Sequence, residues 1–231
     1  MASPTLPDGQ VAYEPFTLPD DGYRESLLGL LSAQAAPMWS VGQQAAYQAH
    51  VMAGASLEHW VRTSGVWSEV ERNIWELNGL LAHLDVESWE ALDGARTASQ
   101  PVEQALEGWV DLLLVELVVD NLGAAMARAC ERSSYAPLAR TARLLAYGKT
   151  GSYASGVVGL REILANDQVP RDQLAERAAV WQALGRTLAE HFAEAQQADR
   201  WEERGLSTPL DAAAVAAEST AELNRLLEAA P

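Results

Sequence analysis

A nearly continuous apolar segment, residues 109–122, constrains the fold of this chain most strongly. It reads Trp-Val-Asp-Leu-Leu-Leu-Val-Glu-Leu-Val-Val-Asp-Asn-Leu, without the period-two alternation of a half-exposed strand. As a helix, the segment is apolar on almost every side, and such helices usually lie at the centre of a helical domain. We therefore expect one central helix with other helices packed around it.

The same segment carries three carboxylates, Asp111, Glu116 and Asp120. Glu116 and Asp120 are four residues apart, so they point in the same direction from a helix. Burying both as anions would cost several kcal/mol each unless partners neutralise them. The simplest expectation is a salt bridge to Arg140, Arg143 or another arginine, or an exposed stripe. The alternative is a residual metal or substrate site.

The rest of the chain is typical of an all-α domain. Ala, Leu, Glu, Gln and Arg dominate its 231 residues, and β-branched runs are scarce. Residues 1–21 are rich in Pro, Asp and Gly and predict an extended N-terminal arm, while residues 22–231 predict a single helical domain. We predict a short helix over about 23–34, further helices over about 38–63, 68–84, 101–131, 137–164, 171–204 and 208–227, and a shorter piece over 86–93.

Proline and glycine set the predicted boundaries of these helices. The first helix is expected to end before Pro37, the second to break at Ser64 and Gly65, and the longest to begin with Pro101 in its first turn. Two long helices, a crossover with a short element and two further long helices predict a ferritin-like four-helix bundle with additional N- and C-terminal helices.

Charge and cysteine content exclude several classes of function. The formal net charge is −16 and Lys149 is the only lysine, which argues against a nucleic-acid partner. Cys130 is the single cysteine, so it has no intramolecular disulfide partner and is expected to be a buried thiol. Neither a signal peptide nor an apolar run of membrane-spanning length is apparent, so we expect a soluble cytoplasmic protein with no membrane partner.

The histidines do not form the motif of a di-iron bundle. Such bundles use Glu-x-x-His pairs, because this spacing places the carboxylate and the imidazole on one inward face. The residues three positions before His50, His59, His83 and His191 are Tyr47, Ser56, Leu80 and Leu188, none of which is a carboxylate. The sequence therefore predicts no conventional di-iron centre.

A family resemblance emerges at the turn that precedes the helix after residue 136. The segment Ser134-Tyr-Ala-Pro-Leu-Ala-Arg, with Asn-Leu-Gly at 121–123 in the preceding helix, resembles the phenylacetic acid catabolic protein family. These proteins are the ferritin-like subunits of phenylacetyl-CoA epoxidase. The resemblance covers about residues 40–192 and places Lys149 and Ser152 where catalytic members have Glu-x-x-His.

The helix before the crossover shows a similar departure from the family pattern. Trp-Glu-Leu-Asn-Gly at 75–79 resembles the family's Glu-Leu-Gly-His-type element, with Glu76 retained and Gly79 in place of the histidine. His50 falls near the position of an expected glutamate. The resemblance thus implies a vestigial site, with no catalytic residue and no bound cofactor, formed by His50, Glu76, Gly79, Glu116, Asp120, Lys149 and Ser152.

The resemblance also implies a function without catalysis. The family includes a homologous subunit that has lost its metal and serves as a structural partner of the catalytic subunit. We expect this chain to assemble with itself or with a homologous catalytic bundle. The Lys149 ammonium is expected to take the place of the lost cation and to pair with Glu76, Glu116 or Asp120.

Two alternatives stay open at the level of sequence. The first is a di-iron oxygenase or hydroxylase that binds metal through a rearranged set, His50, Glu76, Glu116 and Asp120. The second is a module that binds an acyl-CoA-like ligand without chemistry. The scarcity of convergent histidines disfavours the first.

Overall fold

The described part of the chain contains six long helices. The computed structural model describes residues 18–51, 57–85 and 100–229, and between residues 36 and 67 it describes mainly the course of the backbone. Within these ranges there is no strand, which confirms the all-α prediction. The helices are α1 (Asp21–Val51), α2 (Leu57–Ala82), α3 (Trp109–Cys130), α4 (Ala136–Ala165), α5 (Arg171–Ala198) and α6 (Ala212–Ala229), with one further helical turn over 100–105.

Helix α3 is the centre of the domain. It contacts each of the other five helices and packs most extensively against α4. Leu113, Leu114 and Leu117 are each 0 % exposed, as expected for a helix that is covered on all sides. The prediction of a central helix from the apolar segment is confirmed. None of the described helices combines the length and the apolarity that a membrane crossing requires.

The core consists of two apolar clusters that lie at opposite ends of the α3–α4 pair. One includes Leu27, Leu81 and Trp201, together with the C-terminal part of α3. The other includes Leu113 and Trp181, together with the N-terminal part of α3 and the C-terminal part of α4. Because α3 and α4 run antiparallel through both clusters, they connect the two halves of the domain.

Two predicted helix boundaries in the first third of the chain are wrong. Helix α1 continues through Pro37, and α2 continues through Ser64 and Gly65. A proline inside a helix costs about 3 kcal/mol and a glycine about 1 kcal/mol, and α1 and α2 pack along each other over an extended contact. This tertiary packing outweighs the local costs. The described part of α1 ends at Val51, and that of α2 begins at Leu57.

The predicted ends of two other helices also need correction. Pro101 lies in the separate turn over 100–105, and α3 begins only at Trp109, so α1 with 31 residues is longer than α3 with 22. Helix α5 ends at Ala198 rather than near Arg204, because the chain turns at Arg200, which has a φ of 55°, and then buries Trp201. The short piece predicted over 86–93 lies outside the described residues.

The glycines of α4 allow close packing rather than breaking the helix. Helix α4 is continuous over its 30 residues. A Cβ at Gly156 would lie 2.9 Å from the Glu116 Cβ and 2.9 Å from the Leu113 carbonyl oxygen, so α3 and α4 touch through their backbones here. A Cβ at Gly151, one turn earlier on the exposed side, would have no neighbour within 4 Å.

Alanine substitutions at these two glycines should have opposite effects. Gly156→Ala forces a methyl group against rigid atoms of α3 and should lower the free energy of unfolding by about 1–3 kcal/mol. Gly151→Ala gains helix propensity in open space and should raise it by about 0.5–1 kcal/mol. Urea unfolding followed by circular dichroism measures both. A Gly156→Ala variant as stable as Gly151→Ala would contradict the close α3–α4 contact.

Candidate functional site

Four polar side chains meet where α2, α3 and α4 adjoin, and we call them the polar cluster: Glu69, Asp120, Lys149 and Ser152. The Lys149 ammonium donates a hydrogen bond to Asp120 Oδ1 at 2.7 Å, and the Ser152 hydroxyl donates a short one to Glu69. The Lys149 side chain is 8 % exposed and that of Asp120 is 17 % exposed. The cluster therefore holds a largely buried ion pair.

Gly123 makes room for the lysine in this cluster. A Cβ at Gly123 would lie 2.8 Å from Lys149 Cδ and 2.9 Å from its Cε, so the aliphatic stem of the lysine crosses directly over this glycine. Gly123 follows Asp120 by three residues, and both therefore face α4. The glycine lets the stem pack flat on α3 while the ammonium reaches the carboxylate.

The electrostatic balance at Asp120 is set by opposing effects. Burial raises the pKa of Asp120 above its ordinary value; Lys149 lowers it through its charge and hydrogen bond, and the neighbouring Glu69 carboxylate raises it. Burial and Glu69 together outweigh the lysine. Asp120 thus depends on Lys149 for its charged state, and a like charge lies close by on α2.

The structure brings together only some of the predicted vestigial-site residues. Asp120, Lys149 and Ser152 belong to the polar cluster, and Glu116 is buried one turn before Asp120. Glu76 is partly buried on α2, whereas Gly79 is exposed and has open space where a Cβ would be. The His50 side chain lies outside the part of the molecule that is described.

Sequence reasoning missed Glu69, the fourth member of the cluster. Glu69 precedes Glu76 by seven residues, so two helical turns place both on the side of α2 that approaches α4. That spacing is the one signal that was present. The spacing carried no information on the hydrogen-bond partner of Glu69, because Ser152 is 83 residues away in the chain.

The expected pairing of Lys149 with a carboxylate is confirmed, and the carboxylate is Asp120. The expectation that Asp120 pairs with Arg140 or Arg143 is wrong. Both arginines are exposed on the outer side of α4, because they lie on a different face of the helix from Lys149. The Lys149 side chain reaches α3, whereas the two arginines point away from α3.

The polar cluster does not fit a di-iron centre. Its two carboxylates, Glu69 and Asp120, come with an ammonium and a hydroxyl rather than with imidazoles. Throughout the described ranges, no three His, Cys, Asp or Glu side chains are grouped closely enough to hold a metal ion. The arrangement is chemically one carboxylate paired with an ammonium, beside a second carboxylate that accepts a hydrogen bond from a hydroxyl.

Asp111, the third carboxylate of α3, has a structural role at the start of this helix. Its Oδ1 accepts hydrogen bonds from the Arg177 guanidinium at 2.7 Å and from the Trp181 indole at 2.9 Å. Its Oδ2 accepts from the backbone N–H groups of Glu107 at 3.1 Å and Gly108 at 3.0 Å. These contacts hold the entry to α3 against α5 and leave the carboxylate saturated.

Two further predicted features are structural. Cys130 is buried, which confirms the expectation for this thiol, and burial raises its pKa to about 12. Tyr135, the tyrosine of the turn that carries the family resemblance, is 0 % exposed and its hydroxyl lies 3.2 Å from Nδ1 of His83, the residue that follows α2. The turn thereby ties α4 to the end of α2.

Neither a protein-family model nor a curated protein sequence matches this chain. The resemblance at the Tyr-Ala-Pro turn therefore stays a prediction, and functional inference depends on the geometry of the side chains.

Replacing Asp111 tests whether it is needed for folding. Asp111→Ala leaves the partly buried Arg177 without its buried carboxylate and the Trp181 indole without its acceptor, and it should lower the free energy of unfolding by about 3 kcal/mol. Glu107→Ala removes a mostly exposed partner of the same arginine and should cost less than about 0.5 kcal/mol. Chemical denaturation of both variants gives the comparison. Equal losses would show that Asp111 is not the anchor.

Replacing Lys149 tests the ion pair through its pH dependence. Lys149→Met removes the cation that pairs with the buried Asp120 carboxylate, which must then stay an unpaired anion or take up a proton, and the loss should destabilise the fold at neutral pH by about 1–3 kcal/mol. The pKa of Asp120 is already raised and rises further without Lys149. A carboxyl group whose pKa is raised by folding stabilises the fold at pH values below its ordinary pKa of 3.8. This contribution is lost as the pH rises through the pKa of the folded state.

The destabilisation by Lys149→Met should therefore shrink as the pH is lowered towards 3.8, because a protonated Asp120 needs no cation. Adding Asp120→Asn should recover most of the loss at neutral pH. Arg143→Met, which removes an exposed positive charge from the same helix, is the control and should show neither effect. Denaturation curves across pH measure all four proteins, and a pH-independent loss in Lys149→Met would refute the role assigned to the pair.

Proposed function

We propose that this chain is a non-catalytic ferritin-like protein that serves as a structural partner subunit. It assembles with itself or with a homologous catalytic bundle related to phenylacetyl-CoA epoxidase. The observation that carries the proposal is the Lys149–Asp120 ion pair, which lies where the family resemblance implies a metal ligand. The lysine supplies a covalently attached positive charge in place of a metal ion.

The neighbouring contacts of the polar cluster support this function. Ser152, at the position implied for a histidine, donates its hydroxyl to Glu69 instead of offering a lone pair to a metal. Gly79, at the other implied histidine position, is exposed and faces open space. Ser152 and Gly79 are thus both compatible with a stable fold that does not require a bound cation.

The arrangement of the helices supports the ferritin-like part of the proposal. Helices α1 and α2 form one closely packed pair and α3 and α4 form another, while residues 83–108 connect the pairs. Helices α5 and α6 pack mainly on α3 and on each other, as additional C-terminal helices would. This pairing of the helices supports a four-helix bundle with one long connection.

Metal content tests the absence of a di-iron centre. Protein produced in iron-supplemented medium should contain far less than one iron per chain, and added Fe²⁺ or Mn²⁺ should leave its thermal unfolding temperature unchanged. Near-stoichiometric iron would overturn the proposal in favour of an oxygenase or hydroxylase. That alternative requires Asp120 to leave Lys149 and to join a rearranged ligand set.

A rebuilt motif provides a positive comparison for the same measurement. Lys149→Glu combined with Ser152→His restores Glu-x-x-His and removes the ammonium. The new glutamate lies near Asp120 and Glu69, so the variant gains carboxylates that a divalent cation would neutralise. We expect metal to raise its thermal unfolding temperature, whereas the natural chain should show no such shift.

A further inference from the structure

An exposed surface on α2 and α4 combines aromatic and basic side chains. We call it the α2–α4 surface: Arg72 and Trp75 on α2, and on α4 the exposed side from Arg140 to Val158, which includes Arg143, Leu144 and Tyr147. Trp75 is 71 % exposed, Leu144 is 57 % exposed and Tyr147 is 85 % exposed. Large side chains left so open to water on neighbouring helices are typical of a surface that contacts a partner.

The antiparallel contact between the two helices puts these residues at one level. Glu69 on α2 meets Ser152 on α4, and further along His83, just after α2, meets Tyr135, just before α4. Trp75 lies between Glu69 and His83 in the chain, and residues 144–147 lie between Tyr135 and Ser152. The exposed side chains thus flank the shared outer face of the helix pair.

A second exposed surface has the complementary charge. Helix α5 carries acidic side chains near both ends and small or apolar ones between them, all exposed and all on one face because they recur every three or four residues. We call it the α5 stripe, and it consists of Asp172, Glu176, Val180, Ala183, Thr187, Glu190 and Glu194.

The two surfaces match in size as well as in charge. The α5 stripe spans 22 helical positions, or about 33 Å. The exposed side of α4 from Arg140 to Val158 spans 18 positions, or about 27 Å. Gly79 on α2 and Gly151 on α4 are exposed, with open space where a Cβ would be, so an incoming helix can approach closely.

Among the described residues, the two surfaces do not cover each other. Helix α5 packs on α3, α6 and α1, and both its stripe and the α2–α4 surface are exposed to solvent. The net charge of −16 makes a basic surface on this protein uncommon, and the acidic counterpart is available on every other copy. Charge complementarity therefore selects a second copy of this chain as the occupant.

We propose that the protein self-associates head to tail, with the α5 stripe of one copy seated on the α2–α4 surface of the next. The inference rests on the proposed function as an assembling subunit and specifies the contact. Each copy offers one surface of each kind, so the interface is heterologous and builds rings or chains. The arginines meet acidic side chains of the stripe, and its apolar centre covers Trp75 and Tyr147.

Mixing two differently impaired variants tests this arrangement without knowledge of the register. The first variant, Trp75→Ala with Arg143→Glu, loses the α2–α4 surface and keeps the stripe. The second variant, Glu176→Arg with Glu190→Arg, loses the stripe and keeps the surface. Each alone should self-associate at least about tenfold more weakly than the natural chain in sedimentation experiments on the full-length protein.

A one-to-one mixture should restore a single contact, since the intact stripe of the first variant fits the intact surface of the second. Native mass spectrometry should detect heterodimers that do not grow into larger assemblies. Glu218→Arg with Glu228→Arg makes the same change in charge on α6 and should self-associate like the natural chain. Circular dichroism checks that every variant is folded.

Several results would overturn the inference. A natural chain that stays monomeric at high concentration would do so, as would a mixture without heterodimers or a control as impaired as the stripe variant. These failures are distinct from failure of the proposed function. An iron-free monomer removes the self-association and leaves a non-catalytic subunit for another partner, whereas an iron-loaded oligomer removes only the non-catalytic role.

Discussion

The structure depends on burying a helix that carries three carboxylates. Helix α3 is covered by all the other helices, so its acidic side chains cannot rely on water. Arg177 and Trp181 from α5 bind Asp111, and Lys149 from α4 binds Asp120. The partners of Asp111 come from α5 and the partner of Asp120 comes from α4. Pairing these two carboxylates of α3 therefore also positions α4 and α5 against it.

Close approach of the helix backbones makes these polar contacts geometrically possible. Gly156 brings α4 onto α3, and Gly123 opens the path that the Lys149 stem follows to Asp120. Gly185 has the same effect on α5, since a Cβ there would lie 2.6 Å from Val118 Cγ1. The polar contacts therefore depend on the glycines, because without these small residues the charged side chains would not reach their partners.

The sequence was sufficient for features that depend on one segment and insufficient for those that depend on two. The all-round apolarity of residues 109–122 predicted a central helix, and the lone lysine predicted an ion pair with a carboxylate. Pro37 was overestimated as a boundary because local propensity does not include the packing of α1 on α2. The Asp111–Arg177 contact joins residues 66 positions apart, and no local pattern signals it.

The same distinction explains why the candidate site was only partly predictable. The positions of Lys149 and Ser152 followed from a motif, but their partners depend on where α2 and α3 lie. From the sequence, any arginine of α4 could have formed the ion pair with Asp120. Only the face of α4 on which each residue lies decides that Lys149 forms it.

A tethered ammonium has a physical advantage over an unfilled cation site in such a bundle. Two inward carboxylates, such as Glu69 and Asp120, repel each other and lose hydration on burial, so they need a positive charge between the helices. A metal ion supplies it only when several ligands converge and the ion is available. A lysine supplies it with every chain that folds and requires a single acceptor. On the proposed function, the exchange removes chemistry from the interior while preserving the helix packing on which an assembling subunit depends.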